Sequence, residues 1–225
     1  MENLVKYLLT RAGERLSTEA IAKLSTAANC METGRWMRAQ GYDTSRRVDR
    51  RAQLFDLVGA EVGTREVLYL EFGVYQGAAT RYWSKLLTNP KSRLHGFDSF
   101  EGLPEDWRPD CLEGHFSVKG QLPQIDDPRV QFFKGWFDQT LPHYTVCPHQ
   151  VLVLNLDADL YSSTIYVLNT LEKAIVPGTY IYFDEFNHPQ HELRAFEEFI
   201  TRTSMNFDLR GADQALGCVL FQRKS

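Results

Sequence analysis

Several features that would assign a protein to a specialised class are missing from this sequence. No run of eighteen apolar residues occurs in the 225 residues, which excludes the usual membrane-spanning helix. The first stretch, MENLVKYLLTRAGERL, has neither a long apolar core nor a small-residue cleavage site, so we expect no signal peptide. The four cysteines include no Cys-x-x-Cys pair, which favours free thiols in a cytoplasmic protein.

The composition is that of an ordinary globular protein. Hydrophobic residues make up 43% of the chain and charged residues 24%, and the net charge is −4. The negative balance gives no support for binding to nucleic acid. A chain of 225 residues accommodates one domain with an appendage.

Residues 1–64 have a helical pattern and precede every predicted strand. Apolar residues recur there at helical spacing, as in Leu4, Leu8 and Ala12. We therefore interpret residues 1–64 as a helical segment that covers the substrate side of a domain over residues 65–225. Four arginines of this segment could contact an anion, but the pattern favours a solvated helix face: Arg46, Arg47, Arg50 and Arg51.

Acidic residues follow two predicted strands that are joined by a helix. The strand over residues 151–156 ends at Asp157, and the strand over residues 180–183 ends at Asp184 and Glu185. A strand–helix–strand unit makes the strands parallel neighbours, so their carboxyl ends meet at one edge of the sheet. Carboxylates that converge there are suitable ligands for Mg²⁺. The alternative is that the acidic residues only mark where strands reach the surface.

A glycine-rich turn follows the first predicted strand, which covers residues 67–72. Gly73 and Gly77 let the backbone approach a ligand closely, and the next helix presents free N–H groups at its start. Glu71 at the strand end suits a cationic group such as an amine. The dinucleotide signature G-x-G-x-x-G is absent, so the turn alone is a weak indication.

The next two predicted strands also end in residues that suit a nucleoside. Asp98 follows the strand over residues 93–97 and is placed to accept hydrogen bonds from a ribose, although a turn or cap role is the alternative. Trp136 follows the strand over residues 130–134 and would pack on a base or in the core. The long polar loop over residues 105–128 between these strands is of the length found in active-site lids.

The remaining elements complete a doubly wound α/β pattern. We expect a helix capped by Ser162 or Ser163, a helix over Pro189–Thr203, and two final strands that meet around Gly211 and Ala212. The order of elements predicts a mostly parallel sheet of about seven strands with a helical N-terminal extension.

Five segments together resemble the macrocin O-methyltransferase family. They are EFGVYQGAA, GFDSFEGLPE, FFKGWFDQTLP, LDADLYSST and VPGTYIYFDEF, and the resemblance runs from about Val67 to Phe186. The resemblance implies a class I, Rossmann-like methyltransferase that uses S-adenosylmethionine and Mg²⁺ to methylate a sugar hydroxyl. Its acceptor would be a glycoside, an oligosaccharide or a glycosylated metabolite.

The same resemblance implies roles for individual residues. Asp157, Asp184 and Glu185 would be the metal ligands, and Glu185 departs from the aspartate that the family usually has there. The cofactor would contact Glu71, Gly73, Val74, Tyr75 and Gly77 at its methionine end, Asp98 and Ser99 at the ribose, and Gly135 and Trp136 near the adenine.

The general base is the least determined of these roles. We predict Asp157, which the resemblance places between metal and acceptor, and keep His188 and His143 as alternatives. Surface or capping roles are the competing interpretation of both histidines. The spacing His188-x-x-His191 followed by Glu192 is a weaker pattern for a transition-metal site, because no third ligand is evident.

Three other functions are alternatives to sugar methylation. A catechol or other phenolic diol would chelate a metal as a sugar diol does, with the same cofactor. A nucleotide-dependent oxidoreductase on the same fold is disfavoured by the missing G-x-G-x-x-G. A non-catalytic binding protein has only the Asp184-Glu185 departure in its favour. We expect a small-molecule or oligosaccharide acceptor, no nucleic-acid or membrane partner, and, by family analogy, a homo-oligomer.

Overall fold

A single mixed sheet forms the centre of the computed structural model, which describes residues 2–108 and 110–225. Within those residues the sheet has eight strands in the order β1-β7-β8-β6-β5-β2-β3-β4, and only β8 runs antiparallel to its neighbours. The strands are β1 Arg47–Val48, β2 Val67–Phe72, β3 Arg93–Asp98, β4 Val130–Lys134, β5 Val151–Leu156, β6 Tyr180–Phe183, β7 Phe207–Asp213 and β8 Val219–Arg223.

Helices cover both faces of this sheet. They are α1 Glu2–Gly13, α2 Thr18–Ala39, α3 Arg51–Val62, α4 Ala78–Leu86, α5 Phe137–Thr140, α6 Tyr161–Thr170 and α7 Glu192–Thr203. Short 3₁₀ turns follow α5 and α6. The predicted doubly wound, mostly parallel α/β fold is confirmed.

The central strands explain why two helical layers are needed. Every residue of β2 and of β5 is buried, as expected for parallel strands covered on both faces. Side chains alternate along β2, so Leu68 and Leu70 join the core under α6 and α7. Val67 and Tyr69 join the opposite core, under α3 and α4.

The N-terminal segment is less uniformly helical than its sequence pattern predicts. The sheet has one strand more than predicted, and this strand is β1, which lies in the predicted helical region. It pairs in parallel with β7, where Arg47 stands opposite Ala212. Trp36 of α2 is buried in the main core and donates a hydrogen bond to Glu197 at 2.8 Å. A separate N-terminal domain with a boundary near residue 64 stays a prediction.

Three local predictions are wrong in detail. Leu160, not Ser162 or Ser163, is the N-cap of α6, because the chain turns at Asp159 with φ +60° and the helix already starts at Tyr161. The last helix begins at Glu192, three residues later than expected, because hydrogen-bonded turns cover the residues before it.

The final strands also do not meet at Gly211 and Ala212. Both residues lie inside β7, and the chain reverses after Asp213. Gly211 follows a register shift, and a β-carbon there would lie 3.0 Å from the side chain of Leu54. The glycine therefore serves close packing of α3 on the sheet and not a turn.

Among the described residues, no helix combines the length and the apolar character needed to cross a membrane.

Candidate active site

A cavity of about 760 Å³ opens at the carboxyl ends of the central parallel strands. Four acidic residues that end strands line it: Glu71 of β2, Asp98 of β3, Asp157 after β5 and Asp184 after β6. This is the edge at which open α/β sheets bind their ligands. The cavity volume lies within the range of small-molecule sites.

The glycine turn after β2 closes one side of the cavity. Gly73 has φ +91°, and a β-carbon there would lie 1.8 Å from the backbone oxygen of Asp157. Its N–H donates to the carbonyl of Phe97 at 3.1 Å. Only glycine permits both this conformation and this approach, so the turn is held tightly between the ends of β3 and β5.

Asp98 organises the same turn through its carboxylate. Oδ2 accepts hydrogen bonds from the backbone N–H groups of Val74 and Tyr75, each at 2.8 Å. Oδ1 accepts one from the N–H of Phe100 at 2.6 Å. A carboxylate has about four acceptor positions, so one position remains for a ligand. Asp98 therefore combines the predicted turn role with a free acceptor that faces the cavity.

Glu71 lies at the bottom of the cavity and is almost fully buried, with 1% of its surface exposed. Its Oε2 accepts hydrogen bonds from the Tyr69 hydroxyl at 3.0 Å and from the Thr80 hydroxyl at 2.5 Å. Burial raises the pKa of the Glu71 carboxyl to about 7, although both hydroxyls oppose the rise. A cationic group in the cavity would favour its charged form.

A guanidinium lies between the two carboxylates predicted as metal ligands. Nη1 of Arg51 is 3.1 Å from both carboxylate oxygens of Asp184 and 3.4 Å from Oδ2 of Asp157. Tyr182 donates a short hydrogen bond to Oδ1 of Asp184. The predicted convergence of the two strand ends is therefore present. The interpretation of the arginine cluster as a solvated face is wrong for Arg51.

The third predicted ligand also lines the cavity, but its carboxylate lies near a histidine. Oε2 of Glu185 is 3.7 Å from Nε2 of His188, and burial raises the pKa of Glu185 to about 6. Burial, followed by the charge of Asp184, also raises the pKa of Asp157 above its usual range. In the described part of the chain, no three His, Cys, Asp or Glu side chains lie close enough to hold a metal ion.

Asp159 is a site residue that the sequence reasoning missed. Its carboxylate lines the cavity although only 8% of the residue is exposed, and its backbone has φ +60°. Burial, followed by the charge of Glu185, raises its pKa to about 7. Its place two residues after Asp157 in the motif LDADLYSST was the signal that could have found it.

The loop between β3 and β4 supplies much of the remaining wall. Its residues Ser99, Trp107, Arg108 and Phe116 line the cavity. The Arg108 guanidinium lies 4.1 Å from the centre of the Trp107 ring. The loop therefore contributes an aromatic and a cationic group beside the acidic edge, as a wall that faces the site.

The other predicted residues divide between the cavity and its surroundings. Tyr75 and Trp136 line the cavity, whereas Gly77 and Gly135 are not among its lining residues. Gly77 is the N-cap of α4, with φ +75°. Gly135 has φ +146° and allows the turn before Trp136.

The two histidines predicted as alternative bases lie in different environments. His188 packs against Trp107 with ring centroids 5.4 Å apart, and burial lowers its pKa. His191 lies 6.2 Å from His188 between ring centroids and points toward the same tryptophan. His143 is exposed in the turn after α5, and it is not among the residues that line the cavity.

Comparison with known proteins identifies the family and the fold. A family model described as Macrocin-O-methyltransferase (TylF) matches residues 27–223. A curated relative from Streptomyces olivaceus, 8-demethyl-8-(2,3-dimethoxy-alpha-L-rhamnosyl)-tetracenomycin-C 4'-O-methyltransferase, is 30% identical over 137 residues, which are 52% of each chain. The chain thus spans about half the length of this relative.

Solved structures share the architecture at low sequence identity. The O-methyltransferase NovP superposes with a TM-score of 0.59 at 24% identity, over 78% of each chain. A structure of cmcI described as its Mg-SAM form superposes with a TM-score of 0.51 at 16% identity, over 78% of this chain and 71% of that one. These similarities show the fold.

Proposed function

Because the chain belongs to the macrocin-O-methyltransferase family, we propose that it transfers a methyl group from S-adenosylmethionine to a sugar hydroxyl with the help of Mg²⁺. The acceptor is a glycoside, an oligosaccharide or a glycosylated metabolite. One observation carries the proposal: Asp157 and Asp184 share a single cationic group at the edge of a cavity that also contains Glu71 and Asp98.

The glycine-turn side of the cavity fits the cofactor. Asp98 keeps one acceptor position for the ribose, and Trp136 offers an aromatic surface to the adenine. Glu71 keeps Oε1 for the ammonium of the methionine end, because Oε2 holds both protein hydrogen bonds. S-adenosylmethionine supplies the electrophilic methyl group, and these residues orient it.

The acidic edge fits a divalent cation. Asp157 and Asp184 are all-oxygen donors that already surround one positive group, and Glu185 is the next carboxylate along the chain. Asp157 and Asp184 would hold Mg²⁺, and Glu185 would complete the ligand set if its side chain turned from His188 toward them. The ion would orient two neighbouring hydroxyls and lower the pKa of one of them.

Asp159 is the proton acceptor in this proposal. Asp157, the base predicted from sequence, is paired with the guanidinium of Arg51 and would be a metal ligand, and a carboxylate bound to a metal is a weak base. In the metal-free site burial raises the pKa of Asp159 to about 7, and its carboxylate lines the same cavity. A base with a pKa near the working pH is the most effective kind. His188 and His143 remain the alternative bases.

A sugar acceptor is favoured over a catechol by the named relative. That enzyme, by its name, methylates the 4' oxygen of a rhamnosyl-bearing tetracenomycin. In this chain Trp107 lines the same cavity as Asp159 and Glu185, and aromatic side chains in a pocket suit the apolar face of a sugar ring. Residues 1–64 contribute Arg51 to the cavity and form part of its cover.

Methyl transfer from labelled S-adenosylmethionine to a panel of glycosides and catechols tests the proposal. We expect Mg²⁺-dependent labelling of a glycoside, its loss in Asp157→Asn, and no change in Asp126→Asn, which alters an exposed acid. Labelling of catechols alone would contradict the choice of acceptor. Labelling that persists in a chelator would contradict the role of the metal.

A homo-oligomer and a cytoplasmic location are further parts of the proposal. Leu4 and Leu8 lie one turn apart on α1 and are 61% and 57% exposed, which makes an apolar stripe available to a second copy. We expect Leu4→Ser with Leu8→Ser to lower the mass measured by light scattering. An unchanged mass would contradict assembly through α1.

A further inference from the structure

Arg51 occupies the position at which a cation between Asp157 and Asp184 is expected. Its Nη1 lies within 3.4 Å of one oxygen of Asp157 and 3.1 Å from both oxygens of Asp184. The side chain reaches the site from the first residue of α3, in the segment before the first long strand of the sheet.

The backbone of Arg51 is anchored while its side chain keeps access to solvent. β1 ends three residues earlier and pairs with β7, and α3 packs on the sheet through Leu54 and Phe55. The side chain is nevertheless 40% exposed, and it lines the open cavity. The guanidinium can therefore leave the carboxylates by side-chain rotation without a change in the fold.

Electrostatics at this position favour a more highly charged cation than arginine. The guanidinium brings a single positive charge to the two carboxylates of Asp157 and Asp184. The nearby carboxylates of Asp159 and Glu185 add further negative charge at the same position. A guanidinium has only donors, and its contacts cover oxygens that a metal would bind. Arg51 and a metal ion cannot occupy this position together.

We infer that Arg51 is the resident counter-cation of the Asp157–Asp184 pair and that Mg²⁺ enters the site by exchanging with its guanidinium. Arg51 is a positioning residue: it holds the two carboxylates at one cation position until the metal arrives, and it competes with the metal for that position. This inference rests on the metal role in the proposed function.

Calorimetric titration of Mg²⁺ into the whole purified protein tests the exchange. Arg51→Gln removes the competing charge, and Arg50→Gln is the matched control, since it removes the same charge from an exposed neighbour. We expect Mg²⁺ to bind at least about tenfold more tightly to Arg51→Gln than to the wild type, because the guanidinium no longer competes with the metal for the two carboxylates. Arg50→Gln should bind as the wild type does.

Thermal unfolding gives a readout that does not depend on turnover. Without metal, Arg51→Gln should unfold at a lower temperature than Arg50→Gln, because two carboxylates then face each other without a counter-charge. Added Mg²⁺ should raise the unfolding temperature of Arg51→Gln more than that of the wild type. Arg51→Lys keeps one charge without the planar fork and should bind Mg²⁺ with intermediate affinity, which also serves if the glutamine variant does not fold.

The outcomes separate this inference from the proposed function. Equal or weaker Mg²⁺ binding by Arg51→Gln and by Arg51→Lys, compared with the wild type, would overturn the exchange and leave the metal site intact. Absence of Mg²⁺ binding in the wild type and in both variants would overturn the metal role itself. Tighter binding in the variants, with Arg50→Gln unchanged, supports both.

Discussion

The carboxylate of Asp98 accepts a hydrogen bond of 2.8 Å from the backbone N–H of Tyr75, which ties the end of β3 to the turn that follows β2. The end of β3 therefore helps to fix the conformation of the turn that follows β2. Tyr75 has φ +51°, a conformation that this contact helps to hold. Because the same carboxylate faces the cavity, loop geometry and cofactor binding depend on one side chain.

Asp98→Asn should weaken the binding of S-adenosylmethionine by about 10- to 100-fold, since hydrogen bonds to a charged group contribute about 1.5–3 kcal/mol each. The amide also directs a donor toward the N–H groups or toward the ribose. Calorimetry with the cofactor measures the change. The exposed Asp126→Asn should bind as the wild type does, and equal affinity in both variants would contradict the ribose role.

Asp159→Asn should lower the turnover number by about 10²- to 10⁴-fold, the usual contribution of general-base catalysis. Binding of the cofactor should stay close to wild type, and Mg²⁺ should bind more weakly only by the loss of one nearby charge, because the proposed ligands are untouched. Steady-state kinetics on the best acceptor check this. His143→Gln, an exposed change, should have no effect. A large loss of turnover in His188→Gln, with full activity in Asp159→Asn, would show that His188 and not Asp159 is the base.

Gly73→Ala should destabilise the protein more than Gly178→Ala. The two glycines have φ +91° and +92°, so both substitutions introduce the same strain, about 1–2 kcal/mol. Only at Gly73 would the β-carbon also meet backbone, at 1.8 Å from the carbonyl oxygen of Asp157. Urea unfolding of the pair isolates the contact. Equal losses would show that the turn can move away from β5.

Glu71→Gln should remove part of the pH dependence of stability. The folded pKa of Glu71 is raised, chiefly by burial, from 4.5 to about 7. The folded state thus binds a proton that the unfolded state releases between these pH values. Stability from this group is therefore complete below about pH 4.5 and is lost as the pH rises through 7, by at most about 3 kcal/mol.

Urea unfolding of the wild type and Glu71→Gln at pH 5 and pH 8 measures the difference. The wild type should lose stability relative to the variant over this interval. A parallel change in both proteins would mean that Glu71 stays charged when folded. Cofactor bound to the wild type should reduce the loss, because an ammonium favours the carboxylate.

The strands, their carboxyl-terminal acids and the glycine turn were readable in the sequence because each is a local pattern. Continuous apolar runs predict β2 and β5, and the residues that follow them reach the cavity. The resemblance added roles for Ser99 and Gly135. By contrast, β1 has only two residues and exists through its pairing with β7, so no local periodicity could reveal it.

The sequence by itself determined the class of fold and which edge of the sheet carries the acidic residues, since both follow from the order of elements and from where each strand ends. Only the tertiary structure decided that Arg51 lies between Asp157 and Asp184, which are 106 and 133 residues further along the chain. It also decided that Asp159 and Glu185 both line the cavity and that the carboxylate of Glu185 lies near His188. Side-chain direction and charge balance arise from packing between distant segments, and neither is recorded in the spacing of residues.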